Sequence, residues 1–273
     1  MRGAGDRLRR GRLRVAVVGG GFLAVEVAST AAALGNEVTW LCRSRQPLTG
    51  TVGGHAAREL GERLGGITVR TGVSVAGFAG RTAVTGAVLQ DGETVPADVV
   101  LVAVGHRPAL GYLDPAVFGT RHGVPVDERL ETAVPGVFAA GDVASFVDPF
   151  VGARVRHGTW RNAQEQARTA AGAMLGDPAP YRSVPWSWSD HFGTNVQVAG
   201  QVDETAEIVE RRGTRGVTWF YLDGGRVVGA VGIDAGRDVR AAMLLMEGGV
   251  PVDPAAVADP AVDLRATTGV TPA

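Results

Sequence analysis

The sequence is almost devoid of cysteine and shows no arrangement of metal-binding residues. Cys42 is the only cysteine among 273 residues, which excludes an internal disulfide, a CxxC redox pair and a cysteine-based zinc cluster. The five histidines, at positions 55, 106, 122, 157 and 191, lack the spacing of metal ligands. We therefore expect no bound metal and no chemistry that depends on a thiol pair.

Long apolar runs are also missing. No stretch approaches the roughly 18 apolar residues that a membrane-spanning helix needs, and no apolar signal region follows the start of the chain. The sequence thus predicts no membrane association and a cytoplasmic location. The first fourteen residues carry six arginines against Asp6, but no aromatic side chains alternate with them. This favours a solvated basic leader over a nucleic-acid-binding arm, so no nucleic acid is expected as a partner.

The stretch from Val17 to Thr30 is the most informative motif. An apolar strand at 14–18 leads into a glycine turn and then into an alanine-rich helix. Gly19 suits the tight turn, Gly21 allows a pyrophosphate to approach the backbone, and Ala24 permits close packing of helix on strand. Because Gly35 ends the helix and a second strand follows at 37–41, the pattern predicts a βαβ unit that binds a dinucleotide.

Two details of this unit concern the choice of cofactor. An acid that binds the ribose of NAD usually follows the second strand, but this sequence has Arg43 and Arg45 there and no carboxylate. Guanidinium groups bind phosphate through a planar donor fork, so the pair suggests NADP, with ordinary loop charges as the alternative. Glu26, one turn into the helix, either only complements the helix dipole or helps to place the nicotinamide.

The remaining pattern predicts further strands and helices around this unit. Downstream we expect a helix at 51–64, a short strand at 67–70, an antiparallel meander between 73 and 97, and a buried strand at 97–105. The last third predicts four antiparallel strands, at 195–200, 204–210, 216–222 and 225–233, followed by a helix at 237–249.

A second motif lies at 131–146. Pro135–Gly136 turns the chain into an apolar segment at 137–140, which we expect to form a short strand that ends at Gly141 and Asp142. A carboxylate just beyond the carboxyl end of a strand lies where open α/β sheets bind ligands. Asp142 could equally cap the helix that follows.

Taken together, several segments resemble the FAD-dependent, NAD(P)H-utilising ferredoxin reductases of the putidaredoxin reductase type. They are the glycine turn, ADVVLVAVGHRP at 97–108, TAVPGVFAAGD at 132–142, the block at 155–181, VPWSWSD at 184–190 and the closing part from Gly225. The resemblance covers nearly the whole chain. It implies an α/β fold made of a Rossmann-like NAD(P)-binding domain with an inserted β-meander (1–108), a partial FAD-domain segment (109–182) and a C-terminal α+β reductase domain (183–273).

The resemblance also implies function and site residues. Electrons would pass from NAD(P)H through FAD to a ferredoxin-type iron–sulfur protein. Gly19, Gly21 and Ala24 would hold the NAD(P) pyrophosphate, and Glu26 would lie near the nicotinamide. The expected contacts with FAD, or with both cofactors at the domain junction, come from Gly105, Gly141, Asp142, Trp160 and Trp188. Without the resemblance, both tryptophans would be assigned to the core.

One departure from the family pattern concerns the FAD anchor. The family begins with a separate GxGxxG unit that holds the ADP half of FAD, and here the single such motif starts at Gly19. Three alternatives follow: the chain is a fragment, a separate chain supplies the missing half, or the protein binds only NADP(H). The function is therefore expected to be electron transfer, with a truncated NADP(H)-binding or partner-binding chain without catalysis as the alternative.

Overall fold

The computed structural model describes residues 3–119, 122–177 and 179–265. These residues form two compact units. The first unit runs to Gly105 and also includes residues 189–196, whereas the second unit comprises 106–188 and the chain from 197 onward. The sequence-based boundaries after 108 and 182 remain a prediction.

The first unit contains the predicted βαβ motif within a parallel sheet. Its elements are α1 (Gly3–Arg9), β1 (Arg14–Val18), α2 (Phe22–Ala33), β2 (Glu37–Cys42), α3 (Thr49–Gly61), β3 (Thr68–Thr71), β4 (Val75–Ala79), β5 (Gly86–Leu89), β6 (Thr94–Pro96) and β7 (Val99–Val102). The main sheet has the order β3-β2-β1-β7 with all neighbours parallel. Strands β4, β5 and β6 form the separate antiparallel meander that the sequence predicts.

Small side chains let helix α2 lie close to this sheet. Ala24, Ala28 and Ala31 are fully buried on one side of the helix, and Ala16 of β1 is equally buried in the sheet. Burial of small apolar side chains favours close packing without voids. This packing fixes the start of α2 at the carboxyl end of β1, where the glycine turn lies.

The basic leader is packed on the first unit. The side-chain amide of Asn36 donates a hydrogen bond of 3.0 Å to the carbonyl oxygen of Leu8 in α1. Arg14 forms an ion pair of 2.7 Å with Asp98, and its hydrogen bonds lower the pKa of that carboxyl to about 2. The leader is thus attached to the first unit at these contacts, while the side chains of Arg7, Arg9 and Arg10 are exposed, as expected of a solvated basic segment.

The second unit begins with short elements and one long helix. These elements are α4 (Pro115–Phe118), β8 (Val124–Pro125), β9 (Ala144–Asp148), β10 (Ala153–Val155) and α5 (Trp160–Met174). The predicted strand at 137–140 is wrong: only Phe138 pairs there, in an isolated bridge with Glu131. The apolar composition of 137–140 suggested a strand, but no neighbouring segment pairs with it along its whole length. Asp142 lies in a single 3-10 turn, Gly141–Val143, and does not cap α5, whose N-cap is Thr159.

The C-terminal part has the predicted antiparallel strands and helix. Its elements are β11 (Trp186–His191), β12 (Thr194–Gly200), β13 (Glu207–Arg212), β14 (Val217–Asp223), β15 (Arg226–Ile233), α6 (Gly236–Gly248) and α7 (Pro254–Ala258). The five strands form a sheet in the order β11-β12-β15-β14-β13, of which β11 was not predicted. The α/β and α+β assignments are therefore confirmed. No helix in the described part of the chain has the length and apolarity to cross a membrane.

Buried Arg211 attaches the end of the chain to this sheet. Its guanidinium donates hydrogen bonds to the carbonyl oxygens of Val257, Asp259 and Val262 at 3.2, 2.5 and 2.8 Å. It also lies 3.3 Å from a carboxylate oxygen of Asp238. A single side chain thereby satisfies several backbone carbonyls of the segment after α6, which also contacts the sheet through an isolated bridge between Pro251 and Arg226.

Candidate functional site

Gly19 occupies a backbone position that only glycine fits. Its φ angle is +142°, and a Cβ atom there would lie 2.1 Å from the carbonyl oxygen of Ala103 and 3.4 Å from the Cβ of Ala24. The indole Nε1 of Trp40 donates a hydrogen bond of 2.6 Å to the Gly19 carbonyl oxygen. The turn is therefore held between β2 and the segment after β7, and Ala24 packs beside it as predicted.

The start of α2 offers backbone donors to an anion. Gly21 is the N-cap, no side chain caps the helix, and the first turn contains no acidic residue. The first N–H groups of a helix have no carbonyl of a preceding turn to bond to. Here the N–H groups of Ala24 and Val25 donate to the Gly21 carbonyl, whereas those of Phe22 and Leu23 have no acceptor within the helix. A Cβ on Gly21 would meet only the Thr51 hydroxyl, at 4.0 Å. The geometry fits a pyrophosphate close to the Gly21 backbone.

A cleft of about 800 Å³ opens beside this turn within the first unit. The volume is in the range of nucleotide sites. Its walls come from the glycine turn, the end of β2 and the ends of β4, β5 and β7: Val18, Gly19, Gly20, Gly21, Leu41, Cys42, Arg43, Ser44, Gly50, Thr51, Val73, Ser74, Val75, Gln90, Ala103, Val104 and Gly105. Arg43 lines the cleft, whereas Arg45 is exposed outside its lining. Gly105, at φ +98°, lies at its edge.

The loop after β2 is braced against the glycine turn by a residue that the sequence did not reveal. Leu48 is buried in a left-handed conformation, with φ of 68°, and its N–H donates a hydrogen bond of 2.8 Å to the Gly20 carbonyl. A left-handed conformation is unfavourable for leucine and persists only where the surroundings enforce it. Leu48 thus fixes the loop that carries Arg43 relative to the turn.

Glu26 lies on α2 but does not line the cleft. Its Oε1 accepts a hydrogen bond of 2.7 Å from the hydroxyl of Ser189, which is 1% exposed. Ser189 belongs to the WSWSD motif and to the first unit. The contribution of Glu26 to nicotinamide placement remains a prediction, and Ser189 is a partner that no sequence signal indicated.

In the second unit, Gly141 and Asp142 lie beside the start of α5. Gly141 has φ of 78°, its N–H donates 2.7 Å to the side-chain oxygen of Gln166, and a Cβ there would lie 3.2 Å from the Cβ of Ala163. The carboxylate of Asp142 is half exposed and lies 3.6 Å from Nε2 of His106. Arg156 donates to the Asp142 carbonyl oxygen at 3.1 Å. Gln166 and Arg156 thus position a carboxylate whose oxygens remain accessible.

The two predicted flavin-lining tryptophans form an exposed aromatic surface in the second unit. Trp160 is 67% exposed and Trp188 is 40% exposed, and their rings meet edge to face at 6.3 Å. Trp186 stacks on Trp188 at 4.9 Å, with the guanidinium of Arg161 over the Trp186 ring. The alternative that both tryptophans are ordinary core residues is therefore wrong. Exposed indole faces are suited to pack against a planar ligand or a partner.

These residues fit part of a flavin. An accessible carboxylate can accept hydrogen bonds from a polyhydroxyl chain, and flat indole faces suit a planar ring. The described residues contain no cluster of three or more histidine, cysteine, aspartate or glutamate side chains that could hold a metal ion. The assignments of Gly105, Gly141, Asp142, Trp160 and Trp188 to cofactor contacts remain predictions.

Comparison with known proteins gives a consistent picture. Residues 4–167 match the family model of pyridine nucleotide-disulphide oxidoreductases, and residues 186–268 match the reductase C-terminal domain. The chain is 37% identical to the ferredoxin–NAD(+) reductase component of the anthranilate 1,2-dioxygenase system of Burkholderia cepacia, and 35% identical to that of the benzene 1,2-dioxygenase system of Pseudomonas putida. These alignments cover 95% and 92% of this chain, and 65% and 62% of the relatives.

Solved structures agree. The reductase in the covalent putidaredoxin reductase–putidaredoxin complex superimposes with a TM-score of 0.88 at 28% identity, over 95% of this chain and 64% of that one. The chain thus spans less than two thirds of the length of each of these three proteins. With its glycine-turn cleft, its parallel sheet and its C-terminal α+β region, the chain belongs to the pyridine nucleotide-disulphide oxidoreductase family.

Proposed function

We propose that this chain acts in a flavin-dependent oxidoreductase that passes electrons from NAD(P)H through FAD to a ferredoxin-type iron–sulfur protein, in the cytoplasm. One observation carries the proposal: the same chain has an open dinucleotide cleft at the Gly19 turn and an accessible carboxylate, Asp142, in the unit that exposes Trp160 and Trp188. The relatives from Burkholderia cepacia and Pseudomonas putida are ferredoxin–NAD(+) reductases of dioxygenase systems, which supports the proposal.

Each group of residues has a distinct part in this activity. The free N–H groups of α2 bind the pyrophosphate of the nicotinamide cofactor, and Arg43 binds its adenosine end. Asp142 accepts hydrogen bonds from the ribityl hydroxyls of FAD, while Trp160 and Trp188 exclude water from the ring. When bound, the flavin supplies the conversion between hydride transfer and single-electron transfer.

Disulphide reduction, which the family name includes, is not proposed for this chain. Enzymes that reduce disulphides through a flavin need two thiols beside it, so that one can attack and the other resolve the mixed disulphide. Cys42 is the only cysteine, and it is buried at the end of β2 in the nucleotide cleft. Since these 273 residues hold no thiol pair, we expect the electrons to leave the flavin toward a one-electron acceptor.

The test is a visible spectrum of the purified protein with added FAD, followed by NADPH- and NADH-dependent reduction of a [2Fe–2S] ferredoxin. Because the single dinucleotide motif of this sequence is the one at Gly19, we expect FAD to be held weakly and largely lost on gel filtration, while ferredoxin is reduced when FAD is present in excess and less so in Asp142→Asn. Nicotinamide binding without ferredoxin reduction at any FAD concentration would contradict the proposal and favour a non-catalytic NADP(H)-binding chain. Cys42→Ser serves as the control, with ferredoxin reduction unchanged.

A further inference from the structure

Three successive glycines form the turn at the dinucleotide cleft, and the middle one is explained by a close neighbour. Of the three, only Gly19 has a positive φ angle. A Cβ atom on Gly20 would lie 2.9 Å from Sγ of Cys42, so the cysteine side chain leaves no room for one. Glycine has the least restricted backbone of all residues, so a run of three gives the peptide planes of the turn unusual freedom to rotate. Contacts from outside the turn must therefore fix these planes.

Two donors from outside the turn hold two successive carbonyl groups. The indole Nε1 of Trp40 donates a hydrogen bond of 2.6 Å to the Gly19 carbonyl oxygen, and the Leu48 N–H donates one of 2.8 Å to the Gly20 carbonyl oxygen. Trp40 and Leu48 are both buried, and neither lines the cleft. The two carbonyl oxygens therefore face buried donors instead of the cleft.

The orientation of these carbonyls also sets the orientation of the N–H groups. The described residues contain no cis peptide bond, so the C=O and the N–H of each peptide unit point in opposite directions. The Gly20 N–H thus points away from Trp40, and the Gly21 N–H points away from Leu48. Both glycines line the cleft, and within the described chain neither N–H donates a hydrogen bond. The turn therefore keeps these two donors free for an anion.

A rotation of either peptide plane would reverse this arrangement. Since each peptide unit is a dipole, the negative carbonyl oxygen would then face the pyrophosphate and the N–H would face away from it. The apparent affinity of a ligand falls with the fraction of protein in the binding-competent arrangement, so planes that are fixed before the ligand arrives raise the affinity.

We propose that Trp40 is a positioning residue for the nicotinamide dinucleotide. It acts by fixing the peptide plane between Gly19 and Gly20, while Leu48 fixes the next plane. The inference deepens the proposed function and rests on its dinucleotide site. A tryptophan that only fills the core would affect stability alone, whereas a positioning residue also affects the pyrophosphate of a cofactor bound to folded protein.

Removal of the indole N–H with an aromatic ring retained tests the proposal. Trp40→Phe lacks the donor. In case this variant fails to fold, β-(3-benzothienyl)alanine at position 40 replaces the N–H by sulfur with almost the same side-chain volume. Trp219→Phe is the matched control, because Trp219 is 2% exposed in the second unit and its Nε1 donates a hydrogen bond of 3.2 Å to Oε2 of Glu210.

Three measurements are made on each protein. Urea denaturation establishes that the protein is folded under the assay conditions. Calorimetry gives the affinities for NADPH and NADH, and phosphorus NMR gives the pyrophosphate resonances of the bound oxidised cofactor. The resonances report the surroundings of the pyrophosphate itself, which a core-filling role of Trp40 would not alter.

We expect both changes at position 40 to weaken NADPH and NADH about threefold to tenfold, since one hydrogen bond that fixes the turn is lost. The factor should be the same for the two cofactors, because they share the pyrophosphate, so the ratio of their affinities should not change. The pyrophosphate resonances should shift. Trp219→Phe should lose stability but keep the affinities and resonances of wild type.

Wild-type affinities and unshifted pyrophosphate resonances in the folded benzothienylalanine variant would overturn the proposal. A change in the ratio of NADPH to NADH affinity would also overturn it, because the effect would then lie at the adenosine end. Failure of the proposed function gives a different result. If Trp40→Phe binds cofactor more weakly than wild type but wild type never reduces ferredoxin, the positioning role stands and the electron-transfer proposal falls. Active wild type with unaltered binding in the variants would do the reverse.

Discussion

The hydroxyl of Ser189 donates a hydrogen bond of 2.7 Å to Oε1 of Glu26, across 163 residues of sequence. Ser189 is almost completely buried at the end of the WSWSD motif, and Glu26 is half-buried on α2. A second hydrogen bond, of 2.8 Å, runs from the Phe192 N–H to the hydroxyl of Ser29 on the same helix. The end of β11 and the turn that follows it are thus attached to helix α2 at two points about one helical turn apart.

Ser189→Ala should destabilise the protein. Removal of the hydroxyl leaves a partly buried carboxylate without this donor, which should lower the free energy of unfolding by about 1–3 kcal/mol. Urea denaturation measures the change. Ser187→Ala, two residues earlier on the same strand, is the control and should change stability by less than about 0.5 kcal/mol. Equal losses of unfolding free energy in the two variants would show that the hydrogen bond between Ser189 and Glu26 does not contribute specifically to stability.

Gly19→Ala and Gly21→Ala should separate folding from binding. The methyl group at Gly19 overlaps the Ala103 carbonyl oxygen and requires an unfavourable φ, so we expect a loss of at least about 3 kcal/mol in unfolding free energy. At Gly21 the space is open toward the cleft, so the fold should persist. The affinity of Gly21→Ala for a nicotinamide nucleotide should nevertheless fall tenfold or more, because the methyl group occupies the space through which the pyrophosphate approaches. A tenfold loss corresponds to about 1.4 kcal/mol of binding free energy. Normal binding by Gly21→Ala would contradict this role.

Arg43 should set a preference for NADPH, and Arg45 should contribute little. Arg43 lines the cleft and Arg45 does not. A charge-assisted contact with the 2′-phosphate is worth about 1.5–3 kcal/mol, so Arg43→Ala should lose roughly tenfold or more in NADPH affinity while NADH affinity stays constant. Calorimetry with both cofactors measures this, with Arg45→Ala as the matched control. Equal affinities of wild type for NADPH and NADH, in keeping with the NAD(+) in the relatives' names, would overturn the prediction.

Buried His191 should make stability fall in mild acid. Burial lowers the pKa of His191 below its ordinary value of 6.5, although neighbouring Asp190 opposes the shift, and its Nε2 has no hydrogen-bond partner among the described residues. The unfolded chain therefore takes up a proton more readily than the folded protein as the pH drops below about 6.5, so stability declines there and is unaffected above it. Urea denaturation at pH 7.5 and 5.5 should show a smaller decline in His191→Gln than in wild type. Identical declines would exclude this histidine as the cause.

Arg211→Lys should loosen the end of the chain. Lysine cannot reproduce the planar set of donors that reaches the carbonyls of Val257, Asp259 and Val262. The buried ammonium group of the lysine would therefore form fewer hydrogen bonds than the guanidinium it replaces. We expect a loss of about 3 kcal/mol in unfolding free energy and faster amide hydrogen exchange in α7. Arg212→Lys on the exposed side of β13 is the control, with little expected change. Unaltered exchange in α7 would show that other contacts hold the segment.

Local patterns were sufficient to predict the nucleotide-binding unit. The apolar strand, the glycines and the alanine-rich helix all occur within thirty residues, so propensity and packing agree there. Strand β11 was missed although Trp186 and Trp188 alternate with serines, the period of a strand. The segment at 137–140 was assigned wrongly because apolar side chains signal burial but not a pairing partner.

The site was less predictable than the fold. Gly19 and Asp142 stand in recognisable motifs, but Ser189, Leu48 and Arg156 act through contacts with residues that are distant in sequence or through backbone geometry. Such contacts form only when the chain folds, and no local hydrophobic period or motif spacing in the sequence indicates them.

The segment at 189–196, which holds the end of β11, the following turn and the start of β12, also affects how chimeras between members of this family should be designed. These eight residues lie within the match to the reductase C-terminal domain, yet they pack as part of the first unit. A chimera that exchanges the nucleotide-binding region alone would set Glu26 and Ser29 of one parent against the turn of another. Exchange of residues 189–196 together with helix α2 should preserve both contacts, so the region to exchange is the first packed unit and not the region up to the start of the reductase C-terminal match.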